Sequence, residues 1–146
     1  MGARHSGREA ALQMLFQIET SGATAEQAIG LFWRHFEGDP EGRAYADALV
    51  RGVAEKLAEL DACIVQSSSN WRIERMARVD RNLLRLGAWE LQTQTDVPRA
   101  VILDEAVELA KSFGSEDSGA FVNGVLNQIA DKLGRKDEAS RKDGSA

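Results

Sequence analysis

The sequence predicts an all-α protein of about seven helices, as one domain or two half-size bundles sharing a core, and three observations carry the helical expectation. Apolar residues recur at three- and four-residue intervals along most of the chain. Capping signals of the Ser/Thr-x-x-Glu/Gln kind punctuate those runs. The two prolines, Pro40 and Pro98, both fall at breaks in the pattern.

Ser6-Gly7-Arg8-Glu9 reads as a capping box that opens a first helix, with Ala11, Leu12, Leu15, Phe16 and Ile18 as its stripe and Ser21-Gly22 as its end. Thr24-Ala25-Glu26-Gln27 repeats the signal for a second helix that faces Ala28, Ile29, Phe32, Trp33 and Phe36 inward. Asp39-Pro40 stops it and starts a third, because proline lacks an N–H that the first turn leaves unpaired anyway. That third helix is predicted as one rod from about Glu41 to Val65, with Tyr45, Leu49, Val53, Leu57, Leu60 and Ile64 on its buried face. Ser67 to Asn70 end it and cap a short turn around Trp71 to Met76. Asp80 is expected to cap a fifth helix carrying Leu83, Leu84, Gly87, Ala88 and Leu91, which Asp96-Val97-Pro98 breaks. A sixth carries Ile102, Ala106, Leu109, Ala110 and Phe113, with Gly114 at its C′ position. Asp117 or Ser118 caps a seventh, with Phe121, Val122, Val125, Leu126 and Ile129. Residues 1–134 are thus expected to form the helical domain and 135–146 a disordered polar tail.

Of 146 residues, 43% are hydrophobic and 28% charged, an ordinary globular balance. No apolar run approaches the roughly 20 residues of a membrane-spanning helix, and the N-terminal segment lacks a signal-peptide core. Both features favour the cytoplasm. The single cysteine, Cys63, leaves no intramolecular disulfide or cysteine-cluster metal site, and its apolar neighbours suggest a buried small hydrophobe. His5 and His35 are too few and too far apart for a metal pair. Asp104, Glu105 and Glu108 sit together on one helix but without the Glu-x-x-His of di-iron bundles, so solvated ion pairing is the better reading. No phosphate loop, dinucleotide fingerprint or nucleophile elbow is present. No catalytic residue, metal or cofactor is expected.

The net charge is −5, so any nucleic-acid site must be a local basic patch on an acidic body. Arg72, Arg75, Arg78, Arg81 and Arg85 crowd one stretch against only Glu74 and Asp80; Arg4, His5 and Arg8 form a smaller group.

Several ordered motifs resemble one family. Val79-Asp80-Arg81-Asn82-Leu83-Leu84-Arg85-Leu86-Gly87-Ala88-Trp89-Glu90-Leu91, followed by Pro98, is similar to the NusB pattern of Asp, Leu-Arg, a small residue, an aromatic and Glu-Leu. Glu105-Ala106-Val107-Glu108-Leu109-Ala110-Lys111 resembles another of its stretches, with Asp104 where Asn is usual. Phe121-Val122-Asn123-Gly124-Val125-Leu126 matches a third, and Arg8 to Phe16 resembles the signature of its first helix. The likeness spans about Arg8 to Leu133. It implies a fold of two packed helical sub-bundles and a transcription antitermination factor that pairs with NusE, a ribosomal protein of the small subunit. Together they would grip the single-stranded boxA element of ribosomal RNA transcripts and tether it to RNA polymerase in the antitermination complex.

The resemblance assigns candidate roles, each beside a plainer one. Arg4, His5 and Arg8 at the start of the first helix would meet phosphate through side-chain cations and the helix dipole, or would simply be solvated. Ser6 and Gly7 stand where the family often carries more arginine. Phe121 could stack a base and Asn123 or Asp117 bond one, or Phe121 could join the core while Gly124 permits close helix packing. Arg78, Arg81 and Arg85 share a helix side and could form a cationic strip. Asp80 and Arg81, with Gln17 and Ile18, are candidates for the protein partner. Trp71 and Trp89 are read as core. A protein-interaction module of the same fold with little RNA binding is the alternative function. An RNA methyltransferase module is disfavoured by the lack of a methyl-donor domain. Homodimerisation of the free protein is left open.

Overall fold

Helix ends form where side chains or glycines can satisfy the orphan backbone groups of a first or last turn. Thr24 Oγ1 accepts from Gln27 N at 3.1 Å and Gln27 Oε1 from Thr24 N at 3.0 Å, a complete capping box. Asp39 Oδ1 accepts from Gly42 N at 2.8 Å, with Pro40 directly after it. Gly22 and Gly134 take φ of 75° and 74°, the left-handed conformation that closes a helix without a Cβ penalty.

The computed structural model describes residues 2–136. Among them the elements are α1 (Ala3–Ser21), α2 (Ala25–His35), α3 (Pro40–Glu55), α4 (Leu57–Ser67), a 3-10 turn (Ile73–Arg75), α5 (Arg78–Thr93), α6 (Arg99–Phe113) and α7 (Ser118–Lys132), with no strand. Two compact units divide the chain, one through Leu57 and one from Ala58 onward.

In the N-terminal unit, α1 packs against α3 through a core that includes Leu12, Leu15, Leu49 and Val53, with Ala28 and Ile29 from α2. The α1–α3 crossing is close. A Cβ on Gly7 would stand 2.9 Å from the Gly42 carbonyl oxygen and 3.3 Å from Ala46 N. Arginine is therefore excluded at position 7 by α3 itself. Trp33 Nε1 donates to Asp47 Oδ1 at 2.7 Å, which ties α2 to α3.

In the C-terminal unit, α5, α6 and α7 pack mutually around Leu84, Leu91, Ile102, Leu109, Leu126 and Ile129. Gly87 lets α7 come close: a Cβ there would lie 2.7 Å from Leu126 Cδ1. Arg85 donates to Asp61 through Nε at 2.7 Å and Nη2 at 3.0 Å, fastening α5 to α4.

Several expectations are corrected. The rod from Glu41 to Val65 is two helices, interrupted at Lys56 (φ −111°, ψ 25°). Val53 and Leu60 stay buried seven residues apart while Leu57 is exposed, so the heptad spacing passes over the break without registering it. Ser6 is not the first cap: α1 starts one turn earlier at Gly2, and Ser6 N bonds the Gly2 carbonyl. Asp80 is not a cap either, since Ala77 holds that place. Gly114 closes α6 in extended rather than left-handed backbone, and its hydrogen atoms make room for Ser118 Oγ and Cβ. Ser118 uses its hydroxyl to accept from Ser115 N at 3.0 Å, and Asp117 makes no capping bond. Phe36 and Phe113 are exposed rather than core.

Arg135 belongs to the folded part. Its guanidinium donates to the Leu91 and Val97 carbonyls at 2.9 and 2.6 Å, closing the α5–α6 connection. The rest of the expected tail, 137–146, lies outside the described residues.

Candidate nucleic-acid interface

The first group of candidate side chains sits on the opening turns of α1, whose N-cap Gly2 offers no side chain to its N–H groups. Arg4 is exposed and His5 half-buried, but Arg8 retains only 4% exposure. The guanidinium carbons of Arg4 and Arg8 lie 5.1 and 5.4 Å from the Tyr45 ring centroid, within cation–π range. Arg4 presents charge outward; Arg8 is part of the packing.

The second group gathers at the head of α7. Asp117 is exposed at the N-cap, and Phe121, one turn on, is half-buried. Trp71 lies beside it, ring centroids 6.3 Å apart and planes at 69°, an edge-on aromatic pair. Trp71 is 52% exposed, not core. Ser69 and Asn70 take φ of 57° and 62° before it, reversing the chain after α4. The sequence held a signal for this: the helical neighbours of Trp71, at 67, 68, 74 and 75, are Ser, Ser, Glu and Arg, so no apolar stripe runs through it.

Asn123 is not brought to Phe121. It lines a cleft between α6 and α7 together with Asp104, Glu108, Glu116 and Lys111. At 100° per residue, Asn123 and Phe121 project about 160° apart around α7. Gly124 is exposed with nothing within 4 Å of a Cβ built on it, so close helix packing is not its role.

The cationic strip does not form. Arg85 is buried in its pair with Asp61 and also donates to Asn82 Oδ1 at 2.9 Å. Arg81 Nη1 donates to the Met76 carbonyl at 2.8 Å, and Arg72 pairs with Glu74 at 2.8 Å. Asp80 is half-buried in the first turn of α5, and its Oδ1 is enclosed without a hydrogen-bond partner. On α1, Gln17 is exposed and Ile18 half-buried. Trp89 is half-buried on α5. Cys63 is half-buried rather than buried, and desolvation pushes its thiol up from the ordinary cysteine value, against the lowering influence of Lys132. Among the described residues no helix is long and apolar enough to cross a membrane.

Residues 5–131 match the model of the NusB family. The chain belongs to the NusB family. It is 68% identical over 137 residues to the transcription antitermination protein NusB of Sorangium cellulosum, covering 94% of this chain and 98% of that one. A crystal structure of NusB from T. maritima superposes with a TM-score of 0.80 at 36% identity, covering 88% and 91% of the two chains. A structure of the antitermination factors NusB and NusE in complex with double-stranded RNA gives a TM-score of 0.81 at 27% identity, covering 90% and 98%.

Proposed function

We propose that this chain is a transcription antitermination factor, a binding protein rather than an enzyme, that holds boxA-type single-stranded RNA jointly with NusE within the RNA polymerase antitermination complex. It acts in the cytoplasm. The observation that carries the RNA half of this reading is the exposed Trp71 set edge-on against the half-buried Phe121, with Asp117 one turn away. Single-stranded RNA is held by unstacked bases lying on aromatic rings, with acceptors beside them for base edges. Trp71 supplies a large open ring, Phe121 buttresses it and stacks in turn, and Asp117 accepts from an exocyclic amine. Arg4 and His5 at the start of α1 attract phosphate, while Arg8 fixes Tyr45 and through it Arg4. Asn123, turned to the carboxylate-lined cleft, drops out of the set. Gln17, Ile18, Asp80 and Arg81 face NusE.

The burial of Arg8 favours one second reading, a module that binds NusE and touches RNA little by itself. Anisotropy titration of a labelled boxA-type RNA, with and without NusE, separates the two. Trp71→Ala and Phe121→Ala should each weaken the ternary complex by about 1–3 kcal/mol, the worth of a stacked base, with helical content unchanged. RNA binding that both variants retain at full strength refutes the aromatic site; no RNA binding under either condition favours the second reading.

A further inference from the structure

The second helix is more apolar than its packing requires. α2 meets α1 and α3 through Ala28 and Ile29, yet it also carries Leu31, Phe32 and Trp33, with Phe36 just past its end. The chain turns extended at Phe36 (φ −129°, ψ 154°), and that ring stacks on Phe32 with centroids 4.5 Å apart and planes at 24°. Leu31 is left 38% exposed and Phe36 53%. Apolar surface gathered in one place marks an interaction site, where scattered single residues do not. The Phe32–Phe36 stack borders two clefts, one apolar and walled by Met14, Ala28 and Leu31. The other adds Trp33 and three carboxylates, Glu9, Glu37 and Asp39, against a single arginine, Arg43. Arg43 already lies over the Trp33 ring, 5.0 Å from its centroid, and Asp39 caps α3. Glu9 and Glu37 make no ion pair among the described residues.

We propose that α1 and α2 form a docking surface for a basic amphipathic segment of a partner protein. An apolar side chain of that segment fills the cleft at Met14 and Leu31, and a neighbouring lysine or arginine meets Glu9 and Glu37 beside the aromatic rings. Unpaired carboxylates next to ring faces hold such a cation by charge and by cation–π attraction together. The same carboxylates repel phosphate, which keeps RNA and anionic membranes off this face. The chain's own residues 137–146 hold no apolar side chain larger than alanine, and a second copy would bring a net charge of −5 to a negative rim. Gln17, assigned above to NusE, lines the apolar cleft as well, so the two surfaces adjoin. The proposal goes beyond the antitermination reading and does not depend on it.

Fluorescence anisotropy provides the test, with three labelled synthetic peptides as probes: one of leucine and lysine at amphipathic helical spacing, its leucine–glutamate counterpart, and a lysine–serine version without apolar anchors. The full chain should bind the leucine–lysine peptide at least about tenfold more tightly than either of the others. Leu31→Ser and Phe36→Ser should each weaken that binding about fivefold or more, with parental helix content by circular dichroism because both side chains are exposed. Glu9→Gln together with Glu37→Gln should flatten its salt dependence. Val101→Ser and Leu133→Ser, at exposed apolar positions of the C-terminal unit, should leave it unchanged. Equal binding of the leucine–lysine peptide by the parent, Leu31→Ser and Phe36→Ser overturns the proposal, and so does equal binding of the glutamate peptide by the parent. A parent that sediments as a dimer beside a monomeric Phe36→Ser variant overturns it in favour of a second copy. Loss of NusE binding by Phe36→Ser overturns it in favour of a wider NusE face. Failure of the antitermination reading looks different: the parent binds neither RNA nor NusE, while its peptide binding is intact.

Discussion

Two glycines predict opposite outcomes for one chemical change. At Gly7 an added Cβ stands 2.9 Å from the Gly42 carbonyl oxygen and 3.3 Å from both Ala46 N and Tyr45 Cβ. Two of those atoms are helix backbone and cannot swing aside, so α1 and α3 must separate by a few tenths of an ångström. Overpacking of this kind costs about 1–3 kcal/mol, against about 0.5–1 kcal/mol gained in helix propensity, for a net loss of roughly 0.5–2 kcal/mol. At Gly30, in the middle of α2, nothing lies within 4 Å, so only the gain remains. For a chain of this size that corresponds to Gly7→Ala melting about 2–8 °C lower and Gly30→Ala about 2–4 °C higher than the parent. Far-UV circular dichroism melts at matched concentration read both values. A Gly7→Ala variant at least as stable as the parent would refute the close crossing. Gly7→Arg should fare worse still.

Three further expectations concern the C-terminal unit. Arg85→Met should cost about 2–3 kcal/mol in urea denaturation, less than a fully buried pair because Asp61 keeps 22% side-chain exposure; adding Asp61→Asn should restore part of the loss, and strictly additive effects would argue against a coupled pair. Arg135→Ala removes two charge-assisted bonds to carbonyls and should cost about 2 kcal/mol, with faster amide exchange around Val97; unchanged exchange there would refute the latch. Burial favours the protonated thiol of Cys63, so its alkylation by iodoacetamide should reach half-maximal rate at a pH above that of a free cysteine, about 8.5. A midpoint below that value would mean Lys132 outweighs desolvation.

The parts of this structure that a sequence can announce are those written in neighbouring residues. Thr24 with Gln27, Asp39 with Pro40, and the closing Gly22 each act within a few positions, and each is readable. The interruption at Lys56 was not, because apolar spacing continues across it. Arg85 looked like one of a basic series because the partner that neutralises it, Asp61, lies 24 residues away. Gly7 looked like a missing arginine because its reason, the Gly42 carbonyl, belongs to another helix. Trp71 was misread by the habit of burying tryptophan, although its polar neighbours spoke against a core position. Asp117 and Phe121 share one turn of α7, which the spacing shows; adjacency in a motif does not show that Asn123 turns instead to the carboxylate-lined cleft.

Three of the five arginines of the middle stretch are engaged at home: Arg72 by Glu74, Arg81 by the Met76 carbonyl, Arg85 by Asp61. A strand arriving near Arg81 and Arg85 finds cations already committed to the fold, and so expels fewer condensed ions than five open arginines would. Complexes that form by such expulsion loosen when a cell loads itself with potassium after osmotic shock, in proportion to the number of ions released. Contacts made by aromatic rings release no such ions, so the Trp71–Phe121 share of any RNA binding is expected to hold as salt rises while the Arg4 and His5 share falls.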